Sequence, residues 1–281
     1  MGVLLSLIFG IGPMLLCAVF VYWLDRYEKE PKLLLGGVFT WGAIVAAGGA
    51  FLLNSILGMG IYLFTGSESA TQFSTLTVIA PIVEESLKGL AILLVYLIFR
   101  REFDSLLDGV VYAAIVALGF AATENSFYIY TQGYQHAGME GLVWMAFVRV
   151  ILVGWQHPFY TSFIGIGLAI SRMNRHWAIK LLAPALGWGC AVVAHSLHNT
   201  LAGLLSSTGA TGLVVGATFD WVGWFFMFLF VIWFIVREQR ALTAQLKDEV
   251  DRGVMTVNQY NIACSAWRQS QAHTQIGRAH V

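Results

Sequence analysis

Charged side chains are scarce in this sequence. Asp, Glu, Lys and Arg make up 11% of the 281 residues, and 58% of the residues are hydrophobic, whereas a soluble domain carries about 25% charged residues. The formal net charge at pH 7 is zero, so the overall charge gives no indication of nucleic acid as a partner. This composition excludes an ordinary soluble domain and predicts an all-α, polytopic membrane protein that sits in the lipid bilayer.

Cysteine is also rare, and the usual motifs of several protease classes are missing. Cys17, Cys190 and Cys264 show no CxxC spacing, and the first two lie in apolar runs, which is typical of inert buried thiols. No GxSxG, no pair of GxGD aspartates and no HExxH occurs in the chain. These absences argue against serine, aspartyl and standard zincin proteases.

Seven apolar segments are long enough to cross a bilayer as helices, which takes about 20 residues. They cover residues 3–24, 33–57, 75–99, 109–130, 142–170, 181–206 and 212–236. No basic residue precedes the first segment, which argues against a signal peptide. The fifth segment is long enough to be tilted or to extend past the membrane. The pattern predicts a bundle of about seven transmembrane helices.

Lys and Arg are absent from the N-terminus and from the loops 65–74, 131–141 and 207–211. Of the 16 Lys and Arg residues, all but Lys88 and Arg149 fall in the other three loops or in the tail after residue 236. The positive-inside rule assigns that side to the cytoplasm. We therefore expect a multi-pass plasma-membrane protein with its N-terminus outside and its C-terminus in the cytoplasm.

Charged residues return after residue 236. The pattern predicts a helix over 237–252, a break at Gly253, and a short second helix that begins with a capping box of Thr256 and Gln259. We assign 1–236 to a transmembrane domain and 237–281 to a cytoplasmic helical tail. The final IGRAHV resembles a translated sequencing adapter, so we expect that these residues are not the natural C-terminus.

Polar and ionisable side chains interrupt the apolar segments. Each ionisable group costs about 2.5–3.5 kcal/mol at the bilayer centre on insertion scales, so such residues are candidates for function. Segments three to six carry Glu84, Glu85, Lys88, Glu124, Asn125, Arg149, His157, His195, His198 and Asn199, while segment two has Asn54 and segment seven has Asp220. With a rise of about 1.5 Å per residue, the acids and imidazoles fall between the midplane and the outer surface. We expect Glu84, Glu85, Glu124, His157 and His195 to surround one cavity.

Two of the basic residues have a structural interpretation beside the functional one. Lys88 lies four residues after Glu84, so the two can form a buried ion pair, or Lys88 can neutralise one carboxylate while the other reacts. Arg149 is interpreted as a structural counter-charge rather than a catalytic group.

Hydrolysis of a peptide bond requires water, a base or metal, oxyanion donors and an acid for the leaving amine. Carboxylates and histidines together can supply all of these groups.

The motifs at these positions resemble those of the PrsW-type intramembrane proteases, which are related to the CAAX-processing and Abi membrane proteases. EESLK at 84–88 matches E-E-x-x-K, and FAATEN at 120–125 matches F-x-x-x-E-N. Arg149 and His157 match R-x7-H, and His195 and Asn199 match H-x-x-x-N. The similarity covers about residues 20–236. The chain departs from the motif at His198, which leaves open whether His195 or His198 faces the cavity.

The resemblance implies an intramembrane endopeptidase that cleaves a membrane-embedded or membrane-proximal substrate, such as an anti-sigma factor or an exported peptide. It implies water activation by Glu84 or Glu85, and Asn199 as an oxyanion donor. Glu124 becomes a second base or a ligand. His157 and His195, with Glu124, become the ligands of a metal such as Zn²⁺, or they position water in a glutamate-base reaction without metal. Lys88, Arg149 and Asn125 are left as charge-pair and structural residues.

Two other functions are open on the residues alone. Chains of Glu and His also form proton relays, so a proton- or cation-coupled transporter is one alternative, although no internal repeat relates the two halves of the chain. A non-catalytic membrane scaffold is the other. For a protease we expect a membrane substrate with one span or few, cut in its outer half or just outside the membrane. The sequence does not define the oligomeric state.

Overall fold

The computed structural model describes residues 1–25, 29–205, 208–265 and 268. Within these residues the regular structure is helical throughout and no strand is present. This is expected in a bilayer, where each backbone hydrogen bond must be made within its own segment. The predicted all-α bundle is therefore confirmed. Part of the basic loop 25–32 and the final IGRAHV lie outside the described residues.

The helices of the described residues follow one another with short connections. In chain order they are α1 (Gly2–Leu24), α2 (Lys32–Thr40), α3 (Ala47–Thr65), α4 (Glu68–Ser74), α5 (Ala80–Ile98), α6 (Leu106–Tyr128), α7 (Gln135–Ala146), α8 (Gln156–Met173), α9 (Trp177–Leu205), α10 (Ala210–Asp251) and α11 (Val257–Ala263). π-Helical turns join α2 to α3 (Trp41–Ala46), α4 to α5 (Thr75–Ile79) and α6 to α7 (Ile129–Tyr134), and a fourth follows α7 (Phe147–Leu152). Such turns are frequent at functional sites.

Five helical stretches of the described chain are long and apolar enough to cross a membrane. They are Gly2–Leu24, Lys32–Thr65, Leu106–Met173, Trp177–Leu205 and Ala210–Asp251. The third stretch contains a chain reversal. Helix α5 is not among the five stretches, and it carries the charged side chains Glu84, Glu85 and Lys88. The protein is a multi-pass membrane protein, and the number of seven spans stays a prediction.

The fifth predicted segment, 142–170, is not one continuous helix. The chain reverses at Gly138, where φ is +60°, and α7 packs back on the preceding π-helical turn. A Cβ at Gly141 would lie 2.3 Å from the carbonyl oxygen of Gly133. The helix then stops after Leu152 and restarts as α8 at Gln156. Pro158 lacks an N–H and disfavours helical backbone before it, so it belongs in the first turn of a helix.

Helix α6 lies at the centre of the bundle. Its residues from Leu107 to Ala122 are buried, and it packs against α1, α2, α5 and α8. The capping box of Ser105 and Asp108 starts it, with the Asp108 carboxylate accepting from the Ser105 N–H at 2.7 Å. A Cβ at Gly165 on α8 would lie 1.9 Å from the Gly109 carbonyl oxygen. Small residues therefore let α8 approach α6 closely, which places the polar residues of the two helices side by side.

The predicted capping box of Thr256 and Gln259 is present and starts α11. The charged segment after residue 236 does not form a separate helix, because α10 continues from Ala210 to Asp251 without a break. Gly253, with φ +71°, follows this helix. Tyr260 then donates to the Thr243 carbonyl oxygen at 3.1 Å, so α11 folds back on the end of α10. The division into two domains stays a prediction.

Candidate active site

Helix α5 places two carboxylates and an ammonium inside the bundle. Glu85 and Lys88 are fully buried, and Glu84 is 6% exposed. The Lys88 Nζ lies 2.8 Å from Glu85 Oε1 and 3.8 Å from Glu84 Oε2, and it also lies 4.0 Å from the centre of the Phe120 ring. A buried charge is tolerated only when it is paired and hydrogen-bonded. Lys88 is therefore the counter-charge of the acid pair.

Glu85 is saturated with donors. Its carboxylate accepts from Lys88, from the Thr161 hydroxyl at 2.8 Å and from His195 Nδ1 at 2.9 Å. These donors come from α5, α8 and α9, so Glu85 ties three helices together. Glu85 was predicted to share a cavity with the other acids and the histidines, but it is fully buried and is absent from the lining of the cavity described below.

Glu84 has the opposite environment. Asn54 Nδ2 on α3 lies 3.5 Å from Glu84 Oε1, and Glu84 Oε2 is buried without a hydrogen-bond partner. The nearest basic atoms to Oε2 include His195 Nε2 at 3.9 Å. A buried carboxylate oxygen without a hydrogen bond is costly, which indicates that a further group belongs beside it.

Glu124 at the end of α6 meets residues from the broken fifth segment. Its Oε2 contacts the Arg149 guanidinium, and the same oxygen lies 2.9 Å from His157 Nε2. Arg149 also donates to Asn125 Oδ1 at 2.9 Å and lies over the Tyr128 ring. Arg149 and Asn125 therefore hold the Glu124 carboxylate at the start of α8.

The hydrogen of His157 can be assigned from its partners. Its Nδ1 lies 3.1 Å from Lys88 Nζ, and an ammonium can only donate a hydrogen bond. Nδ1 therefore accepts, and Nε2 carries the hydrogen that Glu124 accepts. His157 is engaged at both ring nitrogens, so binding of another group to it requires one of these contacts to be exchanged.

One cavity of about 750 Å³ joins these side chains. Four of the five residues predicted to share a cavity line it, namely Glu84, Glu124, His157 and His195. The sequence left open whether His195 or His198 faces the cavity, and both of them line it. The lining continues to Tyr62, Glu68, Thr71 and Gln72 at the ends of α3 and α4. This is the side on which the loops lack Lys and Arg.

Asn199 also lines the cavity, but its amide nitrogen is already engaged. Nδ2 donates to the Leu76 carbonyl oxygen at 2.9 Å, within the π-helical turn that precedes α5. Its role as an oxyanion donor stays a prediction.

Sequence reasoning missed several polar residues of this site. Gln156 is 3% exposed, lines the cavity, and has a buried Oε1 without a hydrogen-bond partner. Thr161 binds Glu85, and Asn54 was identified as a polar residue without a role. Gln156 offered a signal, because it is adjacent to His157 in the sequence. Thr161 and Asn54 did not, because a single hydroxyl or amide in an apolar helix is common.

A group of three residues in the described chain can hold a metal ion. One ligand atom each from Glu84, His157 and His195 lies within 4.8 Å of the others. The predicted set contained Glu124 instead of Glu84, and the Glu124 carboxylate contacts Arg149 and His157 instead. The Glu85 contact at Nδ1 leaves Nε2 of His195 as its ligand atom, the arrangement that usually orients a ligating histidine. Two imidazoles and the Glu84 carboxylate, which leave the fourth position to water, fit an open zinc site once His157 exchanges one of its two contacts.

Known proteins resemble this chain over most of its length. Residues 30–236 match the model of the PrsW family, described as intramembrane metalloproteases. Protease PrsW of Bacillus subtilis (strain 168) is 27% identical over 233 residues, which cover 82% of this chain and 92% of that protein. Protease PrsW of Clostridioides difficile (strain 630) is 34% identical over 125 residues, 43% of this chain and 50% of that protein. No solved structure matches this chain. The chain belongs to the PrsW family of intramembrane metalloproteases.

Proposed function

We propose that this membrane protease hydrolyses its substrate in the cavity lined by Glu84, Glu124, His157 and His195. The observation that carries the proposal is their convergence from four helices, α5, α6, α8 and α9, on one cavity that extends to Tyr62 on α3 and Glu68 on α4. Ionisable groups inside a membrane are costly and mark functional sites. Their arrangement around this cavity supplies the groups that peptide hydrolysis requires.

Glu84, His157 and His195 are the residues that would hold the metal, proposed here as Zn²⁺. A zinc ion bound by such residues supplies an activated water and polarises the substrate carbonyl. Glu85 fixes the orientation of His195 through Nδ1, and Lys88 neutralises Glu85. We assign proton uptake from water to Glu124, which shares the cavity and is a carboxylate within reach of His157.

The oxyanion of the reaction also needs donors. Arg149 lines the cavity beside Glu124, and a fixed guanidinium stabilises negative charge that develops on the substrate carbonyl oxygen. Asn199 is proposed as a second donor through the amide hydrogen that Leu76 does not use.

A transporter is not favoured by the same geometry. Transport requires a path that reaches both faces of the membrane, whereas Glu85, Lys88 and Phe120 are buried and do not line the cavity. A scaffold without catalysis would not need an unpaired carboxylate oxygen on Glu84 next to two imidazoles.

The proposed substrate is a membrane protein with one span or few, such as an anti-sigma factor or an exported peptide. A helix must unwind before its backbone can enter a site, because its amides are hydrogen-bonded inside the membrane. The cavity reaches Tyr62 on α3 and Glu68 on α4. The predicted topology, with the N-terminus outside and the C-terminus in the cytoplasm, puts these residues on the outer side. Cleavage is therefore expected in the outer half of the substrate span or just outside it.

This is tested with a panel of single-span reporter proteins co-expressed with the full chain. We expect wild-type protein to cut at least one reporter, and mass spectrometry of the products to place the cut at the outer end of the span. Inactive Glu84→Gln protein serves as the control for cleavage by host proteases. Cuts confined to cytoplasmic segments that still depend on Glu84 would contradict the proposed orientation.

Removal of the metal gives a separate prediction. Purified protein treated with a chelator is expected to lose cleavage of the reporter, and added Zn²⁺ is expected to restore it, because the activated water is lost with the ion. The metal content of the protein is measured in parallel. Full activity in metal-free protein would favour the glutamate-base reaction over the metal-dependent one.

A further inference from the structure

Helix α10 carries a buried carboxylate that the site described above does not use. Asp220 is 1% exposed, and it accepts from the Tyr160 hydroxyl at 3.2 Å and from His198 Nδ1 at 2.9 Å. These partners lie on α8 and α9, so three helices meet at this carboxylate. A buried carboxylate is stable only when such donors are in place.

The contact with Asp220 fixes the tautomer and the direction of His198. A carboxylate accepts hydrogen bonds, so Nδ1 of His198 carries a hydrogen and Nε2 is the ring atom available to a molecule in the cavity. His198 lines that cavity, and 14% of its side chain is exposed. The ring is thus held from behind while its reactive edge is open to the cavity.

His198 lies next to the candidate metal site along α9. It follows His195 by three residues, which places the two rings on one face of the helix, about 4.5 Å apart along its axis. Tyr160 connects them, because its ring stacks on His195 with centroids 5.1 Å apart and lies 6.0 Å from the His198 ring. A substrate backbone held at Glu84 and His195 therefore passes His198.

We propose that His198, positioned by Asp220, is a catalytic residue that protonates the leaving amine of the substrate. The proposal rests on the proposed peptide hydrolysis at this cavity. A carboxylate behind the imidazole stabilises its protonated form, as in other histidine–aspartate pairs. Glu124 takes up a proton from water, and His198 supplies one to the departing nitrogen on the other side of the reaction.

The proton balance closes without a further reactant. Water adds its oxygen to the carbonyl carbon, and one water proton passes to Glu124. When the C–N bond breaks, the electron pair stays on nitrogen, which takes the Nε2 proton of the doubly protonated His198 ring and leaves a neutral ring with its hydrogen on Nδ1. The proton on Glu124 returns to His198 through water in the cavity, and both groups are restored for the next turnover.

His198→Gln tests this role in the full, zinc-loaded chain. A synthetic single-span peptide carries the bond that was mapped with the reporters, either as the amide or as an ester. We expect kcat for the amide to fall about 100-fold or more, since positioned acids contribute about 10²–10⁴-fold, while KM and zinc content stay at wild-type values. The ester is expected to lose far less, because its leaving oxygen depends less on protonation.

Asp220→Asn supplies the second arm. It is expected to lower kcat for the amide, and its effect is expected to vanish when His198 is already Gln, because the two residues act as one unit. His176→Gln, an exposed histidine outside the site, serves as the matched control with wild-type kinetics. Wild-type kcat in His198→Gln, an equal loss on amide and ester, or a loss of zinc would overturn the proposal. Failure of wild-type protein to cut any reporter would instead overturn the proposed function.

Discussion

Replacement of Glu84 by glutamine is expected to lower the rate of substrate cleavage by about 100-fold or more, because residues that only support a metal ligand already contribute about 10–100-fold and Glu84 is proposed as a direct ligand. Glutamine keeps the volume of the side chain but removes its negative charge. Glu84 Oε2 has no hydrogen-bond partner in the described protein, so the change removes no hydrogen bond from that oxygen, and Lys88 keeps its closer partner Glu85 at 2.8 Å. We therefore expect the variant to insert and fold like the wild-type protein and to bind less zinc.

The neighbouring Glu85→Gln variant separates the two members of the acid pair. Its amide nitrogen cannot accept from Lys88, Thr161 and His195, so this change is expected to lower both stability and activity. The measurements are reporter cleavage, zinc content and the free energy of unfolding in detergent. Glu140→Gln, an exposed acid on α7, is the control. Wild-type cleavage by Glu84→Gln protein would refute the role assigned to this carboxylate.

The helical spans and the polar cluster were predictable from the sequence for one reason. Ionisable residues are so unfavourable in hydrocarbon that their positions stand out against the apolar background. The helical rise placed Glu84, Glu124, His157 and His195 between the midplane and the outer surface, and the structure brings them to one cavity.

The division of labour within the acid pair could not be predicted in this way. Glu84 and Glu85 are adjacent on one helix and have the same chemistry, and they differ only in what other helices bring to them. Thr161 and His195 come to Glu85 from α8 and α9, whereas Asn54 is the side chain that approaches Glu84 from α3. These contacts depend on helix rotation and packing, which the spacing within one segment does not define.

The break in the fifth segment had a local signal that hydropathy concealed. Residues 142–170 are apolar enough to be taken as one span, yet Gly154 and Pro158 favour a helix that ends and restarts. The break is important for the site, because Arg149 precedes it and His157 follows it, and both reach Glu124. A continuous helix would turn residues eight positions apart about 80° away from each other.

Replacement of Lys88 by methionine is expected to produce the largest loss of stability among single changes at the site. Methionine has a similar length but no charge, so the fully buried Glu85 carboxylate loses its closest donor, 2.8 Å away, and Glu84 loses a positive charge at 3.8 Å. Removal of one partner from a buried ion pair costs about 3–5 kcal/mol. We expect a decrease of that order in the free energy of unfolding, measured in detergent micelles, together with reduced insertion in cells.

The double variant Lys88→Met/Glu85→Gln distinguishes loss of charge balance from loss of packing. If the cost arises from an uncompensated carboxylate, neutralising Glu85 as well restores part of the free energy of unfolding, because the two changes are coupled. Activity is not expected to return, since His195 and His157 also lose contacts from Glu85 and Lys88. Lys180→Met at an exposed position is the control and should change stability by less than about 0.5 kcal/mol. Strictly additive losses in the double variant would show that Lys88 contributes by filling space rather than by balancing the acid pair.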